Sequence, residues 1–148
     1  MIDKQDIKDR QKLSWEGTFY SLKRIDLLII SISGSGIYIC FETIKYLVEN
    51  KYSDIPSLIK CSGITFLLAI IINFISQITG HLSNKNDFLM CDAELAEDED
   101  DINKYDKESA KYDKITQIFN YSSMVFMCVG LATIVYYFLF IFSVVKVA

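Results

Sequence analysis

Residue types that carry catalysis or bind metals are thinly spread in this chain. One histidine, His81, and four cysteines, Cys40, Cys61, Cys91 and Cys128, stand without a C-x-x-C pair or any spacing that closes a tetrahedral site, so no metal site is expected. The sequence marks out no nucleophile–base–orienter set around His81 and no pair of carboxylates for acid–base work. No catalytic residue, cofactor or enzymatic activity is therefore expected. The acidic run Glu97, Asp98, Glu99, Asp100 and Asp101 lacks the alternation, central glycine and closing glutamate of a calcium loop. It reads as a solvated helix tip that can dock a partner. The cluster Ser33, Gly34, Ser35, Gly36 is not followed by Lys-Ser/Thr, which excludes a phosphate loop and leaves a thinned, closely packing helix.

The informative polar residues are those inside apolar runs. The 148 residues are 51% hydrophobic and 23% charged, an ordinary average that hides strong segregation. Residues 25–41 contain one Asp, Asp26, and no other ionised side chain, while 61–79 and 118–145 contain no Asp, Glu, Lys, Arg or His. A helix needs about 20 apolar residues to cross the hydrocarbon core, which the second and third runs supply and the first reaches by continuing to Val48. Three transmembrane helices are expected, over residues 25–48, 57–80 and 118–145. A polar segment precedes the first run and no A-x-A-like site follows it, so this helix is expected to be retained rather than cleaved as a signal peptide.

Each span carries a polar face at helical spacing. In the first, Ser31, Ser35, Tyr38, Glu42, Lys45 and Glu49 fall at steps of three and four; in the second, Ser62, Thr65, Ala69, Asn73, Ser76 and Gly80 do so, with Gln77 beside them. The third has a weaker version in Ser123, Met127, Gly130, Thr133 and Tyr137. Two readings of Ser31, Ser35, Tyr38, Glu42, Lys45, Ser62, Thr65, Asn73, Ser76 and Gln77 stand side by side. Either they are seams where small residues let helices approach and polar ones hydrogen-bond across, or they line a water-filled path with Glu42 as a charged ring near the outer mouth. Three helices cannot enclose a pore alone, so the second reading requires a homo-oligomeric ring. Glu42, Lys45 and Glu49 also have the spacing to pair with one another. Cys40 and Cys61 are expected at different heights and hence free, as are the other two thiols.

The remaining segments position these faces. Residues 1–24 mix charges with Trp15, Phe19 and Leu22 at one-face spacing, which suggests an amphipathic, interfacial helix. A short connection places Pro56 at the first position of the second helix. Residues 81–117 contain no Gly or Pro and keep helical periodicity in two halves, which predicts an antiparallel helical hairpin with its tip near the acidic run. In this segment eleven acids and five lysines leave a net charge of −6.

Lys and Arg concentrate in residues 1–24 and 81–117. The positive-inside rule therefore puts the N-terminus and the acidic hairpin in the cytoplasm and the C-terminus outside, in a plasma or bacterial inner membrane. The expected fold class is an all-α integral membrane protein with helices two and three extended into the cytoplasm. The expected partners are the lipid bilayer, further copies of the chain and a cytoplasmic protein, with no nucleic acid.

In size the chain resembles phage holins with three spans, although those usually end in a basic cytoplasmic tail, whereas Lys146 falls on the expected outer side. In architecture it resembles small multi-pass effectors of bacterial anti-phage systems. Two functions follow as expectations: an oligomeric protein that forms or gates a pore, as in a defence or toxic effector, and a non-conducting accessory or scaffold subunit that docks a cytoplasmic partner through the acidic hairpin.

Overall fold

The computed structural model describes residues 4–50 and 56–142, with side chains described over 23–50 and 56–140. Among the described residues there is no strand. Helix α1 spans Lys4–Glu49, α2 Ser57–Leu95 and α3 Glu99–Tyr136, and the chain continues from α3 into a π-helical segment, Tyr137–Phe142. Three stretches are long and apolar enough to cross a membrane: Lys23–Glu49, Ser57–Leu95 and Glu99–Phe140. The N-terminal segment is helical and runs into the first of these without a break. The side chains that would test its amphipathic face, Trp15, Phe19 and Leu22, lie outside those described.

The helices begin and end for local reasons. Pro56 (φ −56°) is the N-cap of α2, one residue before the helical position expected for it. Its missing N–H costs nothing where no helical acceptor is available. At the other end of α2 the chain reverses over Ala96, Glu97 and Asp98. Asp98 N–H donates to Ala93 O at 3.1 Å and Glu97 N–H to Glu94 O at 3.2 Å, the bonding of a Schellman motif. Glu97 holds the left-handed position, φ 57°, normally given to glycine. Asp98 then caps α3: its Oδ1 accepts from Asp100 N–H and Asp101 N–H, both at 3.2 Å. Glu99, Asp100 and Asp101 fill the first turn, where negative charge meets the positive end of the helix dipole. The acidic run is thus a helix-start signal as well as a charged patch.

This turn yields a prediction of two opposite signs. Glu97→Gly is expected to stabilise the tip by about 1 kcal/mol, because a left-handed residue with a Cβ is strained by that order. Asp98→Ala is expected to weaken it by about 1 kcal/mol, the usual loss for an N-cap. Hydrogen exchange of amides around the turn reads both, and a shift of the same sign in the two variants would refute this account of the turn.

Packing is centred on α2. Ser62 bonds to Gly130, Ser76 to Asn120 and Ser83 to Ser109, so one index rises as the other falls and α2 and α3 lie antiparallel. Helix α1 lies against α2 with Asp26 beside Asn73, Gly36 beside Phe66 and Cys40 beside Gly63. Its buried face is Ile29, Ser33, Gly36, Cys40, Thr43 and Leu47, at steps of four and three. The opposite surfaces carry large exposed apolar side chains, among them Leu27, Phe41, Leu67, Ile71, Phe74, Val125 and Val129. This arrangement, small and polar residues inside and large apolar ones outside, suits lipid as the solvent.

Candidate functional site

The middle of the bundle is held by one aromatic ring. Phe66 on α2 is 0% exposed and lies between two glycines, Gly36 of α1 and Gly130 of α3. A Cβ built at Gly36 would meet the ring at 2.6 Å from Cζ, and one at Gly130 would meet it at 3.0 Å from Cδ1. Both glycines are therefore required by close approach, and together they form a socket fitted to a flat side chain. Cys40, Ile59, Ile134 and Tyr137 complete the apolar cluster around it. Ser33 contributes a small side chain to the same buried face of α1, and its Oγ has no hydrogen-bond partner.

Polar seams run along α2 on either side of this socket. Ser62 Oγ, fully buried, donates to Gly130 O at 2.8 Å. Asn73, also fully buried, donates from Nδ2 to Asp26 Oδ1 at 2.8 Å and accepts from Gln77 Nε2 at 3.0 Å. Ser76 Oγ donates to Asn120 Oδ1 at 2.6 Å and also lies 3.1 Å from Thr116 O. Thr116 Oγ1 and Thr79 Oγ1 are 2.8 Å apart. Further along, Ser83 meets Ser109 and Asp113. One helix face thus bonds to α1 through Asn73 and to α3 through Ser62, Ser76, Thr79 and Ser83.

The stripe expected on the second span is therefore an interhelical seam. Ser62, Asn73 and Ser76 lie in it directly, and Gln77 reaches it from an exposed position. Thr65 departs from the group, since its hydroxyl bonds back to Cys61 O of its own helix. The weaker stripe on the third span also faces inward, with Ser123, Gly130 and Tyr137 buried.

The stripe expected on the first span behaves differently. Ser31, Ser35, Tyr38, Glu42, Lys45 and Glu49 are all exposed on the face of α1 turned away from α2. No ion pair joins Glu42, Lys45 and Glu49, contrary to the mutual neutralisation their spacing allows. Because Cys40 stands beside Gly63, Glu42 is within about a turn of Lys60 in height. It shares a groove with the aromatic rings of Tyr46 and Phe138.

That register also corrects the reason for the free thiols. Cys40 is close to Cys61 in height; what separates them is direction, since Cys40 is buried and Cys61 faces out. Between α1 and α3, which touch least, two shallow grooves of about 280 and 290 Å³ share Ile39. One contains Tyr38, Glu42 and Phe138, the other Ser31, Ser35 and the edge of Phe66. Sequence periodicity did not single out Phe66. Its signal is long-range, the pair Gly36 and Gly130 brought to one height by the helix register.

No protein-family model, curated protein or solved structure matches the chain. What the fold defines is a class: an all-helical chain with three helices able to cross a membrane, consistent with a multi-pass membrane protein. Within that class the acidic residues 97–101 are exposed, apart from a half-buried Asp101, at the turn that joins α2 to α3.

Proposed function

We propose that the chain is a non-conducting membrane scaffold that presents the α2–α3 turn, with its acidic run, to a basic cytoplasmic partner. The observation that carries this reading is the use of α2's polar stripe. Ser62, Asn73 and Ser76 each bond to a neighbouring helix, which leaves the charged extension toward Glu97 as the part of α2 that seeks water. That extension is long: α2 has 39 residues and spans about 58 Å at 1.5 Å per residue, nearly twice the hydrocarbon thickness. Its net negative charge repels it from an anionic inner leaflet and keeps the tip available. The excess of Lys and Arg in residues 1–24 and 81–117 supports a cytoplasmic tip.

A photo-crosslinking residue at Asp100 of the full chain, expressed in its membrane, is expected to give one discrete protein adduct. Replacing Glu97, Asp98, Glu99 and Asp101 with Ser in the same chain should remove most of that adduct, and raised salt should weaken it, because screening acts over about 8 Å at physiological ionic strength. An adduct indifferent to both, or none, counts against the scaffold.

A second reading is favoured by the outward stripe of α1. A ring of subunits lined by Ser31, Ser35, Tyr38, Glu42 and Lys45 would form or gate a pore, as a membrane-perturbing defence effector does. Ion flux in liposomes holding the purified chain is its test.

A further inference from the structure

We propose that the outward face of α1 is a self-association surface, on which a second copy of this chain docks with its own α1 running parallel. At about 100° per residue, Ser31, Ser35, Tyr38, Glu42, Lys45 and Glu49 fall within roughly 40° of one line, opposite the buried line through Ile29, Ser33, Gly36 and Cys40. The surface is small where it is deepest in the apolar zone. Ser31 and Ser35 are one turn apart, and Gly34 beside them is exposed with nothing within 4 Å of where its Cβ would be. Two helices can approach closely there.

The charges identify the occupant. Glu42 lies about 20° to one side of the central line and Lys45 about 40° to the other, one turn higher. Two copies in the same membrane orientation have parallel α1 helices at equal height, and a two-fold axis between them sets the Glu42 side of each against the Lys45 side of the other. Glu42 of each copy then meets Lys45 of its mate, giving two reciprocal ion pairs from one surface. Among the described residues neither has an ion-pair partner. A zwitterionic headgroup can meet one of these charges but not both in a reciprocal pair, and an unrelated helix matches the alternation only by coincidence. This surface is separate from the acidic turn, so it stands or fails independently of the scaffold reading.

The test is charge reversal in the full-length protein reconstituted at several protein-to-lipid ratios, with copy number counted by single-molecule photobleaching. Wild type is expected to dimerise. Glu42→Lys and Lys45→Glu, each alone, bring like charges together and should raise the dissociation constant about tenfold or more, while the double reversal should restore it. Both positions are exposed, and unchanged helicity by circular dichroism checks folding. Ser35→Leu, which thickens the closest approach without touching charge, should weaken association as well. A monomeric wild type, single reversals without effect, or a double reversal no better than the singles would each overturn the proposal.

Discussion

Phe66→Ala is expected to lower the stability of the protein in detergent by about 3–5 kcal/mol, the range found when a buried aromatic site is emptied. The ring is wholly enclosed, and the residues facing it are two glycines that have no side chain with which to fill the void. Gly36→Ala should also destabilise, by about 1–3 kcal/mol, because its Cβ needs space the ring occupies. The ring has little room to retreat, since Gly130 backs its other side so closely that a Cβ built there would lie 3.0 Å from Cδ1. The two effects must therefore be coupled. In a Phe66→Ala background, Gly36→Ala should cost almost nothing, since the added methyl enters the vacated space. A double-mutant cycle by reversible denaturation measures this, and additivity within a few tenths of a kcal/mol would show that Gly36 and Phe66 do not meet.

That socket marks where sequence reading stops. Three apolar runs, the helical turn near Glu97 and the inward face of the second span are legible because each depends on local periodicity or on cap chemistry. The same periodicity groups Ser31, Ser35, Tyr38, Glu42 and Lys45 correctly onto one face of α1. It cannot say which way that face points. A helical pattern fixes residues relative to one another, and the competing face Ile29, Ser33, Gly36, Cys40, Thr43 and Leu47 has the same spacing with a composition no more apolar than a membrane seam requires. In water the larger apolar side chains would decide the matter, whereas in lipid they face outward at no cost. Phe66 was hidden for a related reason: one aromatic in an apolar run looks like its neighbours until the register aligns it with glycines 30 and 64 positions away.

The outward α1 stripe, half of it charged, and the uncharged inward α2 stripe differ also in whether their polar atoms have partners. On α2, Ser62, Asn73, Ser76 and Ser83 all bond to another helix. On α1, Glu42 and Lys45 form no ion pair among the described residues. The α2 stripe therefore sets the fold of one subunit, and the α1 stripe is available for contacts beyond it. The distinction separates variants that should unfold the bundle from variants that should change only its assembly.

Asn73→Leu belongs to the first kind, with an expected loss of about 2 kcal/mol in thermal or denaturant melting. A hydrogen bond between membrane helices contributes roughly 0.6–2 kcal/mol, and one to a charged group about 1.5–3 kcal/mol. Here the acceptor is Asp26, half-buried and at 2.8 Å, while Gln77 relies on Asn73 Oδ1. Leucine removes both bonds and strands the Asp26 carboxylate against an apolar neighbour, a worse outcome than losing one neutral pair. Asp26→Asn keeps an acceptor in place of the carboxylate and should lose about half as much. If Asn73 instead faced a wet lumen in an oligomer, Asn73→Leu would leave melting and assembly unchanged and would lower ion flux, because an apolar ring promotes dewetting of a narrow pore. Lower melting with Asp26→Asn intermediate supports the interhelical tie. Unchanged melting with reduced flux in liposomes would overturn it and return α2 to the lining of a pore.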